Sequence, residues 1–184
     1  LGDMIAGRIH LTLRLQSRID TLTQIMQVSE ILAEFIHSLS MYFDVDYHSC
    51  IDNHSRIEPD KSDSLDLESL CRITDWYLSE RLLHNSAVKV VSNRFGSDII
   101  TLDCKGHGVC GVHGDKDKPA RVLSSISNFT RQNYDLVVMA HRHHFSADEE
   151  CGTLLLCNGS VMGTDEFAQK LRLHSSPSQT LIIS

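Results

Sequence analysis

Three imidazoles in four residues, His141, His143 and His144, close the short apolar run Leu136-Val137-Val138-Met139-Ala140. An apolar run with β-branched residues that stops at polar side chains predicts a buried strand. Open α/β sheets present their sites outside the carboxyl ends of such strands. His141 and His143 stand two apart, so they share a face in extended chain and can still converge in a tight turn. With 11 histidines in 184 residues some clustering arises by chance. Other expected strand ends, however, finish in the same way. Val109-Cys110-Gly111-Val112 runs into His113-Gly114-Asp115, and the segment 45–51 runs into Asp52-Asn53-His54-Ser55-Arg56. Near the start of the chain, Gly2-Asp3 opens a loop of the kind that follows a strand. The set Asp3, Asn53, His54, His113, His141 and His143 combines a carboxylate, an amide oxygen and several imidazoles. Such mixed oxygen and nitrogen ligands suit manganese, iron, nickel or zinc in open geometry rather than a closed structural zinc. A carboxylate can also bridge two ions, and a bridged pair activates water and clamps a phosphoryl group.

The elements that must position these residues follow from periodicity and punctuation. Ile19, Leu22, Ile25, Met26, Leu32, Phe35, Ile36 and Leu39 recur at three- and four-residue steps and predict one long helix over 13–41. A strand is expected over 45–51. A second helix is expected over 62–83, capped by Ser62 or Asp63, with Leu67, Leu70, Ile73, Trp76 and Tyr77 facing inward. The second half is richer in strands, at 88–91, 99–102, 109–112, 136–139, 153–157 and 180–183. Turn residues 93–97 and 105–108 separate the early ones. Pro119 opens a helix that continues to about 131, and a short helical piece is expected at 166–170. No repeat, linker or low-complexity segment interrupts the chain, so residues 1–184 are expected to form a single domain.

Composition narrows the partners. A formal charge of −7 argues against gripping nucleic acid by bulk positive charge. It leaves a nuclease open, because divalent ions supply a local positive field. No apolar run is long enough to span a bilayer and no signal peptide is visible, so a cytoplasmic location is expected. The six cysteines contain no Cys-x-x-Cys pair and mostly lie in apolar runs, which predicts buried free thiols.

The order Gly2-Asp3, Asn53-His54, His113, then His141-x-His143, with Asn158-Gly159-Ser160 after it, resembles the calcineurin-like metallophosphoesterase superfamily. The resemblance covers essentially the whole chain and is greatest to phage and prophage phosphoesterases or DNA-repair exonucleases. It implies a four-layer αββα sandwich of two mixed β-sheets flanked by helices. It further implies that Asp3 bridges two metals, that Asn53, His113 and His141 complete one of them, and that His143 ligates the other. His54 matches the non-ligand histidine that protonates the leaving oxygen after attack by a metal-bridged hydroxide. Arg56 suits phosphate oxygens, since a guanidinium matches them bidentately, or else pairs with Asp60; both readings stay open. His10 and His144 read as loop or supporting histidines, and His37, His48, His84, His107 and His174 as structural or exposed.

The departures from the family pattern matter equally. The first motif, Asp-x-His, is absent, and the chain starts abruptly at Leu1, which points to a protein that continues upstream. Asp52 and Ala140 stand where glycine is usual, which is costly at Ala140 only if that position needs positive φ. Ala6 replaces the second carboxylate of Gly-Asp-x-x-Asp, and Ser55 replaces the acid after Asn-His, so the group that orients His54 is unidentified. One metal would keep four ligands and the other only Asp3 and His143, so one occupied site and one weak site are expected. The missing strand would leave an open sheet edge that invites homo-oligomers.

The resemblance thus implies metal-dependent hydrolysis of a phosphate ester, foremost a phosphodiester such as DNA, with two divalent ions, manganese first. The alternatives are a phosphomonoesterase or protein phosphatase, and a non-catalytic scaffold with the same fold.

Overall fold

The computed structural model describes residues 1–164, 168, 169, 172 and 174–183. The chain forms two compact units, one of Gly2–Asn93 and one of Arg94–Ser184 together with Leu1.

The N-terminal unit contains helices α1 (Leu11–Gln16), α2 (Thr21–Ser40) and α3 (Cys71–Arg81), a 3₁₀ turn at Asp66–Glu68, and strands β1 (Val45–His48) and β2 (Val88–Val91). The strands pair in parallel, Val45 opposite Val88 through His48 opposite Val91. Ala33, Ile36, Leu78 and Leu82 form its core, with Val45, Tyr47, Val88 and Val90 packed against them. The helix expected over 13–41 is broken at 17–20, where the Asp20 side chain accepts from the Thr23 N–H and starts α2 afresh. The second helix begins nine residues later than its predicted cap, because Ser62 bonds back to Asp60 in a turn instead.

The inward faces also differ from the expected ones. Met26 and Phe35 on α2, and Ile73 and Trp76 on α3, are exposed, as is Leu67 just before α3. Ile25, Ser29, Ala33 and Ile36 are buried in α2, and Cys71, Thr74 and Leu78 in α3. At the crossing, the Ser29 hydroxyl donates to that of Thr74 at 3.0 Å. Small side chains let the two helices approach closely, and the bulkier apolar residues lie off that line of contact.

The C-terminal unit is a five-stranded sheet in the order β3-β4-β5-β7-β6, with helix α4 (Pro119–Thr130) following β4. The strands are β3 (Ile99–Cys104), β4 (His107–Val112), β5 (Leu136–Met139), β6 (Ser146–Glu150) and β7 (Thr153–Cys157). The central strands β4, β5 and β7 run parallel, and β3 and β6 pair antiparallel at the two edges. Cys110, Val112, Val137 and Met139 pack with Val122 and Ile126 of α4 and with Tyr134. Pro119 takes the first turn of α4, and Arg131 closes the helix in left-handed conformation.

Strand β6 was not expected, because Ser-Ala-Asp-Glu-Glu has no apolar alternation; acidic residues of this kind blunt a sheet edge. Residues 180–183 form no strand. They follow a tail held at Asn158-Gly159-Ser160, where the Asn158 side-chain oxygen accepts from Thr180 N–H and Ser160 C=O accepts from Ser178 N–H. The helical piece expected at 166–170 lies largely outside the described residues. Helices and two sheets, of two and five strands, give the mixed α/β class expected, with the smaller sheet a parallel pair. The six cysteines are free thiols, and four of them are buried.

Candidate functional site

In the C-terminal unit, three neighbouring parallel strands end on one edge of the sheet, and each end carries a residue of the expected motifs. His113 follows β4, His141 and His143 follow β5, and Asn158 follows β7. The ladder runs one step past the strands: Ala140 N–H donates to His113 C=O at 2.9 Å, and Asn158 N–H to Met139 C=O at 2.7 Å. The histidines therefore leave from backbone already fixed by hydrogen bonds. Gly114 (φ +107°) makes their close approach feasible, since a Cβ there would press on the Met139 methyl at 3.2 Å and on Ala140 C=O at 3.4 Å.

His113 is 2% exposed, and its Nδ1 lies 2.8 Å from the Leu1 carbonyl. A carbonyl can only accept, so Nδ1 carries the proton and the neutral ring presents a lone pair at Nε2. That is how metal-binding histidines are commonly held, one nitrogen given to a carbonyl and the other to the ion. The rings of His113 and His141 meet edge to face with centroids 5.0 Å apart, and a ring nitrogen of each lies within 4.8 Å of the other. Two nitrogens bound to one ion at about 2.1 Å stand roughly 3–4 Å apart. His143 is exposed, and its backbone, like that of His141, is left-handed, with φ of 59° and 62°. Ala140 is not among the residues with positive φ, so alanine in place of glycine costs nothing there; His141 carries the strain instead. His144 gives its Nδ1 to Arg142 C=O and is exposed.

In the N-terminal unit, Asn53, His54 and Arg56 share one turn between β1 and α3. Asp52 builds it: one carboxylate oxygen accepts from Ser55 N–H at 2.7 Å and the other from the Ser55 hydroxyl at 2.9 Å. Aspartate at the usual glycine position therefore acts through its side chain and not through unusual backbone angles. Ser55 C=O in turn accepts from Leu70 N–H, which ties the turn to the start of α3. Asn53 is buried, and its carbonyl accepts from Arg56 Nε at 3.1 Å. Arg56 Nη1 is buried and has no hydrogen-bond acceptor among the described residues. Asp60 accepts from Ser62 N–H and hydroxyl, which, with a smaller pull from Arg56, holds its carboxyl below the usual range.

His54 Nδ1 lies 2.9 Å from the Ala6 carbonyl, and its ring meets that of His10 with centroids 5.3 Å apart. Burial first, and then the positive neighbours His54 and Arg56, push the His10 pKa down, with Asp3 opposing them. Asp3 has φ of 53° after Gly2 at 88°. Residue types alone did not reveal Ala6 and Leu1. His10 was visible as a histidine seven residues beyond Asp3, whereas Ala6 and Leu1 act through backbone carbonyls that no side chain announces. Cysteine chemistry is disfavoured: burial pushes the Cys71 and Cys110 thiols up to about 12, far from a reactive thiolate.

No protein-family model matches the chain, and no curated protein does. Solved structures to which it is similar include Vacuolar Protein Sorting 29 from Cryptosporidium parvum, 18% identical over 49% of this chain and 54% of that one, with a TM-score of 0.34. A predicted phosphoesterase from Streptococcus pneumoniae is 18% identical over 72% of this chain and 66% of its own, with a TM-score of 0.38. A novel archaeal phosphodiesterase is 14% identical over 77% and 79%, with a TM-score of 0.39. The chain spans about half, 54%, of the length of the first of these. At such identities the similarity is one of fold and assigns no activity.

Proposed function

We propose that this chain is a metal-dependent phosphoesterase that cleaves a phosphodiester, with DNA as the substrate class. The observation that carries the reading is the His113–His141 pair, with His113 committed through Nδ1 to a carbonyl and both rings within reach of one ion. The motif order assigns Asp3 and Asn53 to the same ion and His143 to a second, weaker one, manganese being the expected metal. A divalent ion held there would supply a charge-neutralising Lewis acid and an acidified water. His54 gives Nδ1–H to Ala6 C=O, so the proton it can deliver to a leaving oxygen is the one on Nε2. Arg56 brings a buried guanidinium nitrogen that lacks an acceptor, as a phosphate-binding donor would before substrate arrives.

The net charge of −7 leaves DNA binding to the metal and a few cations. Lys116 is already paired with Asp98 at 3.0 Å. Arg56 and Arg142 remain the better candidates.

The test separates ligands from the acid. His54→Ala is expected to lose about 10²–10⁴-fold in turnover while keeping its metal, because a general acid contributes in that range. His113→Ala is expected to lose metal and turnover together. If elemental analysis finds metal lost equally in both variants, the roles are wrongly divided. Parallel assays on a phosphomonoester distinguish a phosphatase from a phosphodiesterase.

A second reading, a protein-binding scaffold, is favoured by the exposed Met26, Phe35 and Trp76 on α2 and α3. Metal binding with no hydrolysis of any ester would select it.

A further inference from the structure

The superfamily pattern has an acid where this chain has Ser55, so the partner that orients His54 is unidentified, and the second carboxylate of Gly-Asp-x-x-Asp is also absent, with Ala6 in its place. The N-terminal unit supplies a different device. Ala6 accepts from His54 through its backbone carbonyl, at the very position whose carboxylate is missing. One hydrogen bond still leaves an imidazole able to swing about that bond. The His10 ring stands against His54 at 5.3 Å with 60° between the planes, and it limits this swing. Gly7 lets the two segments meet: its φ is +64°, and a Cβ there would fall on the His54 carbonyl oxygen. The Gln24 side-chain oxygen accepts from the N–H of Ala6 at 2.9 Å, which anchors the loop to α2.

We infer that the loop from Ala6 to His10 is the positioning device for His54. Ala6 C=O fixes the Nδ1–H tautomer, Gly7 admits the close backbone approach, and His10 closes the open side of the ring. His10 acts here as a positioning residue, through its ring and not through its charge. The inference rests on the assignment of His54 as the proton donor, and it deepens that assignment. A neutral carbonyl fixes orientation and tautomer as a carboxylate would, without adding a negative charge beside the phosphate.

The test is nitrogen NMR of the full chain labelled at histidine, at a pH of about 8.5, where an ordinary imidazole is neutral. The His54 signals are identified by their loss in His54→Gln. The expected result is a single Nδ1–H tautomer in the native chain, a shifted and broadened His54 signal in His10→Ala, and restoration in His10→Phe, which keeps a ring at the contact. Kinetically, His10→Ala is expected to lower kcat by about tenfold with KM and metal content unchanged, and His10→Phe to recover most of it. Gly7→Ala is expected to disturb His54 in the same way. An Nε2–H tautomer in the native chain, or a His54 signal untouched by His10→Ala, overturns the inference. A chain that shows the expected tautomers but hydrolyses no ester would instead overturn the proposed function and leave the positioning device standing.

Discussion

Left-handed backbone at non-glycine residues is costly, and its distribution along the chain is informative. Lys105 and Cys151 open the two-residue loops of the β3–β4 and β6–β7 hairpins, where both loop residues take positive φ. Arg131 caps α4, and Arg172 lies in a turn. Among the described residues, the remaining three are Asp3, His141 and His143, all expected ligands from their motifs. Strain of about 1–3 kcal/mol per residue persists where the surroundings enforce it, and it concentrates at functional sites. His141→Gly is therefore expected to leave the metal-free chain no less stable than the native one while weakening manganese binding by at least tenfold. Thermal melting with and without manganese checks both. A drop in the metal-free Tm as large as that of a core truncation would mean that His141 is held for packing.

Among the elements, the exits of β1 and β2 meet α3 through a half-buried polar cluster. Asp75 accepts from the Ser49 hydroxyl at 2.7 Å, and Asn93 donates to Ser49 C=O at 2.7 Å. The second carboxylate oxygen of Asp75 is buried with no hydrogen-bond partner among the described residues. Burial raises the Asp75 pKa, opposed by the Ser49 bond and by Arg72. A carboxyl whose folded pKa lies above its unfolded value binds its proton more readily when folded. Its ionisation therefore destabilises the chain above the folded pKa, and that penalty fades as pH falls through the folded value toward the ordinary carboxylate range. Asp75→Asn is expected to raise Tm by a few degrees, roughly what 1 kcal/mol gives, at neutral pH. The gap to the native chain should narrow on acidification. Melting curves in which the gap widens instead would contradict this account.

The same scale shows what periodicity could and could not reveal. Strands at 88–91, 136–139 and 153–157 were legible because β-branched and leucine runs are bounded by turns. Ile25 and Ile36 were read correctly as inward on α2, but Met26, Phe35, Ile73 and Trp76 were misread, because Ser29 and Thr74 make the crossing while those larger side chains stay outside. Hydrophobic spacing favours the large side chains, whereas close helix packing selects the small ones.

For the molecule as a whole, the approach of His113 and His141 was legible because it depends on side-chain type at two strand ends. The candidate site was not legible where one residue serves another through a carbonyl or a ring edge, as Leu1 serves His113 and as Ala6 and His10 serve His54. An acidic chain of charge −7 has little means of handling a phosphate ester unless cations are concentrated at one place. The proposed phosphodiester cleavage would depend on a divalent ion bound through His113 and His141. The most direct measurement is the initial rate of hydrolysis of a generic phosphodiester by the 184-residue chain as manganese is titrated in, beside the same titration of His113→Ala. The account requires a rate that is negligible without metal, rises to saturation in the native chain, and stays at background in the variant. A native rate indifferent to manganese, or a variant that saturates as the native chain does, would contradict it.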